Sequence, residues 1–82
     1  MESLGKVVHA NPSSGLVAVC DDVGACAVLE LVKGEIPAIG SQIVGDMNSV
    51  GMVDLMLNGT SPLSVFVHAF DCSLSAVYEE VR

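Results

Sequence analysis

The stretch that decides the fold is residues 16–32, LVAVCDDVGACAVLELV. Two apolar runs, Leu16–Cys20 and residues 25–32, flank a polar turn at residues 21–24. In the second run Ala27, Leu29 and Leu31 share one side, and Glu30 lies on the other, which is the period-2 pattern of a half-buried strand. Because acids and a glycine separate the two runs, this stretch predicts an antiparallel hairpin.

The same pattern continues along the rest of the chain. Segments rich in Gly, Asn, Ser and Pro read as turns at 11–15, 33–34, 48–51 and 58–62. Short strands separated by such turns indicate an all-β sandwich or a small barrel. No linker or internal repeat interrupts the pattern, so residues 1–82 are predicted to form one domain. The predicted strands are 4–10, 16–20, 25–32, 42–47, 52–57 and 63–70.

The C-terminal segment 71–82 changes character and predicts a short helix. Asp71, Ser73 or Ser75 can cap its start, because side-chain oxygens accept the free N–H groups of a first helical turn. So short a helix is marginal alone and must dock on the sheet. Its apolar residues recur at helical spacing, at Leu74, Val77, Tyr78 and Val81.

Two segments resemble parts of known small barrels. Residues 5–19, GKVVHANPSSGLVAV, resemble the opening hairpin of a cold-shock domain. Residues 35–44, EIPAIGSQIV, resemble the segment with which OB-fold barrels re-enter the sheet. The resemblance implies an all-β fold, a small OB-like β-barrel of five to six short antiparallel strands with a short C-terminal helix.

The RNA-binding site of the cold-shock family does not carry over to the matching positions. That family places base-stacking aromatics on its second strand, where residues 14–19 read SGLVAV. Its third strand reads VFVH, but here VFVH stands at residues 65–68, in the predicted sixth strand. Phe66, His68 and Phe70 therefore remain a candidate ligand or base platform, with a core or interface stripe under the helix as the favoured alternative.

The charge of the chain disfavours anionic partners. Ten acids face three bases, Lys6, Lys33 and Arg82, which gives a net charge of −7. Nucleic-acid binding relies on Lys and Arg to neutralise phosphates, and anionic membranes attract the same residues. Nucleic acid is therefore an unfavoured partner, and a protein or a small molecule is expected instead. With no apolar run of membrane-spanning length and no signal-peptide pattern, we expect a cytoplasmic location.

The cysteines and histidines do not form a familiar site. An odd count of three cysteines predicts reduced thiols, although Cys20 and Cys26 flank a hairpin turn and a bridge between them stays open. The cysteine and histidine spacings lack the pairs typical of zinc sites, and Cys72 near His68 does not by itself make a nucleophile pair. We expect no metal, no cofactor and no enzymatic activity.

The function predicted from the sequence is a small acidic binding module that self-associates. Residues 16–20 and 63–70 are apolar on both faces, and a barrel has one interior, so one apolar set should remain outside. A homodimer would cover it. The alternative is a single-stranded nucleic-acid binder of cold-shock type. The residues of the predicted interaction face are Val17, Val19, Phe66, His68 and Phe70.

Overall fold

The computed structural model describes residues 3–81, which form a closed antiparallel barrel and one helix. Around the barrel the strands follow the order β1-β2-β3-β6-β5-β4, with β4 pairing back to β1. The predicted all-β barrel with a C-terminal helix is confirmed, with six strands, and it is compatible with an OB-like fold. The elements are β1 (Ser3–Asn11), β2 (Leu16–Cys20), β3 (Cys26–Lys33), β4 (Gln42–Gly45), β5 (Gly51–Leu57), β6 (Ser61–Cys72) and α1 (Leu74–Val81).

β4 is shorter than the sequence predicts, because it ends at Gly45 rather than at Met47. The backbone of Gly45 has a φ of 154°, a value that side-chain-bearing residues rarely adopt. A Cβ added there would overlap with Leu55 Cδ2 on the neighbouring strand. Gly45 therefore lets the chain pass close to β5 and leave the sheet.

The barrel interior is filled by aliphatic side chains from every strand. Val17 and Val19 belong to this interior, with exposed fractions of 3% and 2%. The prediction that these two valines form part of an interaction face is therefore wrong, because the barrel itself covers them. The buried residues of this cluster are Val7, Val17, Val19, Ala27, Leu29, Ile43, Met47, Leu55, Leu63, Val65 and Val67.

A second apolar cluster lies outside the barrel, between the sheet and α1. Val77 and Val81 on the helix are fully buried against Ala18 on β2 and Val28 on β3. The Ser73 hydroxyl accepts the N–H of Ala76 at 3.3 Å, so Ser73 is the cap of the helix. The helix consequently begins at Leu74, whereas residue 72 still belongs to β6. Arg82, the last residue of the predicted helical segment, lies outside the described residues.

The β2–β3 hairpin is closed by a disulfide between Cys20 and Cys26. The two cysteines are register partners across the hairpin, with their Cα atoms 4.0 Å apart. The expectation of reduced thiols is therefore wrong for this pair. It rested on an odd cysteine count and a cytoplasmic location. The strand register, however, places Cys20 and Cys26 opposite each other, where a bond can form. Cys72 is free and half-buried.

The folded chain has the surface of a compact monomer. Its accessible area is 4646 Å², against about 4,700 Å² for a typical monomer of 8.5 kDa. The area is thus that expected of a globular chain of this mass. Among residues 3–81, the single helix is too short to cross a membrane.

Candidate interaction site

A row of large side chains crosses the outside of the barrel on β3, β6 and β5. Phe66 lies between Glu30 on β3 and Met52 on β5, as the register of both strand pairs shows. Its neighbours Val65 and Val67 point into the core, so Phe66 points outward. We call Glu30, Met52, Phe66 and His68 the outer strip.

The outer strip combines a fixed polar pair with apolar surface. His68 Nε2 lies 2.7 Å from Glu30 Oε1, which holds the imidazole ring over the sheet. The ring centroids of Phe66 and His68 are 4.9 Å apart with an interplanar angle of 56°. Phe66 is half-buried, but Met52 keeps 58% of its surface exposed. The strip therefore offers a partly preorganised aromatic and thioether surface.

Phe70, the third predicted member of this face, does not contact the other two rings. Strict alternation would place Phe66, His68 and Phe70 on one side of β6. Instead Ala69 and Cys72 both pack against the cluster under α1. In a regular strand these two residues, three apart in sequence, would point to opposite sides of the sheet. The register between β3 and β6 shifts in this region, which explains the broken alternation. Phe70 is 40% exposed beyond the strip.

Polar and apolar residues border the outer strip. Ser64 donates a hydrogen bond of 2.8 Å to the Asp54 carboxylate, and these two residues form the next cross-strand pair on the same outer face. Val32 and Val50 flank the strip in sequence and are 56% and 61% exposed. The apolar outer surface is thus wider than the strip itself.

The acidic turn of the β2–β3 hairpin has a structural role at Asp21. Its carboxylate accepts the N–H groups of Val23 at 3.1 Å and Ala25 at 2.9 Å. Asp21 therefore closes the turn, and the neighbouring Asp22 is exposed. Both residues border an open cleft of about 660 Å³ against β1 and β4, which Leu4, Lys6 and other residues line.

The histidines and the free cysteine among residues 3–81 each contact a different partner. His68 and Cys72 border the same shallow cleft, but the His68 ring bonds Glu30 and the Cys72 thiol donates to the Phe70 carbonyl at 3.5 Å. His9 packs its ring edge-on against Tyr78 at 5.5 Å. Within this described part, no three His, Cys, Asp or Glu residues come together to hold a metal ion.

Comparison with known proteins adds no family to this description. No model of a protein family, no curated protein sequence and no solved structure matches the chain.

Sequence reasoning found half of the outer strip and missed Glu30 and Met52. Each residue has a signal in the sequence: Glu30 is the acidic residue within the apolar strand β3, and Met52 is the first large residue of β5. Met52 is brought to Phe66 by the hairpin of the consecutive strands β5 and β6, whereas Glu30 is brought there by the β3–β6 pairing, which the chain order does not reveal.

Proposed function

We propose that the chain is a small non-enzymatic interaction module that self-associates as a homodimer through the outer strip. The observation that carries this proposal is the exposed Met52 beside the Phe66–His68 ring pair, on a part of the outer surface that α1 does not cover. α1 covers the outer side chains of β2 and the start of β3, and it leaves Met52 and Phe66 open. An apolar face left in this way is typical of a protein–protein interface.

The closed barrel restricts how a second copy can bind. Both neighbours of every strand are already paired in residues 3–81, so no long strand edge is free to accept a strand from a partner. The partner must therefore dock on a face of the sheet. A two-fold axis through the outer strip would place Met52 of one copy near Phe66 of the other.

Charge opposes the approach of an identical chain, and hydrogen bonds hold the two carboxylates at this face in place. Each copy has a net charge of −7, so two copies repel unless their carboxylates stay apart or are engaged. The carboxylate of the strip, Glu30, is paired with His68, and Asp54 beside it accepts a hydrogen bond from Ser64. Asp22 lies elsewhere, on the hairpin turn, whereas Glu80 on α1 borders the same cleft as Glu30 and His68.

The dimer is expected to be reversible rather than obligate. The monomer already has the accessible area of a complete globular protein. A stable interface buries about 800 Å² on each partner, more than the strip alone offers, so the flanking Val32 and Val50 must contribute. We therefore expect dissociation in the micromolar concentration range.

Light scattering after gel filtration over a series of loading concentrations tests the proposal. The wild-type mass should rise from monomer to dimer, and Met52→Asp should stay monomeric because it places a carboxylate in the apolar seam. Val23→Asp is the matched control, since Val23 is 84% exposed on the distant hairpin turn. A monomeric wild type at high micromolar concentration, or equal dimerisation of both variants, would contradict the proposal.

The alternative function, single-stranded nucleic-acid binding, draws support from the exposed Phe66–His68 ring pair, because such rings stack on unpaired bases. Lys6 and Lys33 lie outside the strip, so phosphate neutralisation there is weak. We expect an oligonucleotide affinity weaker than about 10 µM at physiological salt in an anisotropy titration. Submicromolar binding that weakens with salt and is lost in Phe66→Ala would favour the alternative.

The cytoplasmic location predicted from the sequence stays a proposal, and the disulfide weighs against it. The cytosol keeps most thiols reduced, whereas oxidising compartments preserve bridges such as Cys20–Cys26. Alkylation of thiols at the moment of cell lysis decides the matter. A mainly reduced pair supports the cytoplasm, and a mainly oxidised pair excludes a conventional cytosolic setting.

A further inference from the structure

The three cysteines of the chain lie side by side on three neighbouring strands. Cys26 on β3 is the register partner of Cys20 on β2 and also of Cys72 on β6. Residues directly opposite each other on antiparallel strands point to the same side of the sheet. All three side chains accordingly pack against the cluster under α1. Cys26 is the central residue of this row, and it is bonded to one neighbour while the other is free.

We propose that Cys72 exchanges with the Cys20–Cys26 disulfide, so that the bridge moves between two positions. The Cys72 thiolate attacks Cys26 Sγ, the Cys26–Cys72 bond forms, and the Cys20–Cys26 bond breaks. Cys20 leaves as a thiolate and takes up a proton, which balances the proton that Cys72 released to solvent. One disulfide and one thiol exist before and after, so the step needs no oxidant and no reductant.

Strand pairing places Cys26 opposite both of its possible disulfide partners, beside a register shift between β3 and β6. Register partners on antiparallel strands have Cα atoms about 4.5–5.5 Å apart, and disulfides span about 4.4–6.8 Å between Cα atoms. The Cys26–Cys72 register pair is therefore expected within the separation that a disulfide can span, next to the bonded Cys20–Cys26 pair, whose Cα atoms are 4.0 Å apart. Cys72 is half-buried beside an open cleft of about 310 Å³, so its thiol can lose its proton to solvent.

The position of the bridge has a consequence for α1. Cys72 immediately precedes Ser73, which caps the helix. In the present form the disulfide closes the β2–β3 hairpin, and the start of α1 is held by packing and hydrogen bonds. In the exchanged form the bond would tie the start of α1 to β3 and release the hairpin. Exchange of the disulfide thus removes the covalent bond that closes the hairpin turn and places one at the start of α1, the helix that covers β2.

The test locates the free thiol in the oxidised wild-type protein. The chain is incubated without oxygen or added thiols at mildly alkaline pH, quenched with acid, alkylated with N-ethylmaleimide and mapped by fragmentation mass spectrometry. We expect labels on Cys20 and on Cys72, with populations within about tenfold of each other. Label on Cys72 alone after prolonged incubation would overturn the proposal.

A variant provides an independent arm. Cys20→Ser removes the present partner of Cys26, and in a glutathione redox buffer it should form the Cys26–Cys72 bridge. Cys72→Ser is the matched control, which should keep the Cys20–Cys26 bridge and carry no label. A Cys20→Ser chain that has a wild-type circular dichroism spectrum but remains a dithiol in that buffer would contradict the exchange. Should this variant fail to fold, the labelling map of the wild type still decides.

Discussion

Leu29 shows how single residues hold the barrel together. Its side chain is 2% exposed at the centre of β3, where it packs with Val17 and Val67 in the interior cluster. We expect Leu29→Ala to lower the free energy of unfolding by about 2–5 kcal/mol, because it removes buried methyl groups and leaves a cavity. Urea denaturation measures this loss. The control Val23→Ala, on an exposed turn, should change the free energy by less than about 0.5 kcal/mol. Equal losses would contradict the assigned core.

Gly45 is a residue where both the backbone conformation and the space around the Cα atom require glycine. An alanine there would be strained at a φ of 154° and would collide with Leu55. Gly40 has a φ of 93° but no atom within reach of an added Cβ, so Gly40→Ala isolates the conformational cost. We expect Gly45→Ala to be the more destabilising variant in urea denaturation, by about 1–3 kcal/mol. A smaller loss than in Gly40→Ala would show that the close approach of β4 and β5 is wrong.

Among the elements, α1 depends most on its docking surface. Eight residues do not form a stable helix alone, and Val77 and Val81 supply its fully buried contacts. We expect Val77→Ala to cost about 1.5–3 kcal/mol and to accelerate amide hydrogen exchange along the helix. Leu74→Ala is the matched control, because Leu74 is 47% exposed. Similar effects of the two substitutions would mean that α1 is not docked through Val77.

The strands were predictable because turn residues and alternation agree at nearly every element. β2 is the case in which alternation gives no answer. Its odd and even positions are all apolar, so the pattern alone does not tell whether Val17 or Ala18 enters the barrel. The tertiary structure decides: small Ala18 lies under α1, while Val17 and Val19 fill the interior. The sequence leaves the Cys20–Cys26 bridge open and does not reveal the β3 side of the outer strip, because both depend on the register between strands.

At the scale of the whole molecule, the barrel has more apolar outer surface than its one helix covers, and the exposed Leu4 and Met56 also lie outside the reach of α1. α1 takes the region over β2 and the start of β3, and the outer strip around Met52 and Phe66 stays open. The chain has the accessible area expected for its mass, and its charge of −7 opposes the approach of a second copy. Self-association through the strip is the account that reconciles these three properties.

The most direct measurement is an isotope-filtered NOE experiment on an equal mixture of labelled and unlabelled chains at high micromolar concentration. We predict intermolecular contacts between the Met52 methyl group of one copy and the Phe66 ring of the other. The α1 residue Tyr78 is the internal control, because it is 40% exposed on the helix, outside the strip, and should show no such contacts. A dimer whose intermolecular contacts fall on Tyr78 and not on Met52, or a sample with no intermolecular contacts, would contradict the account.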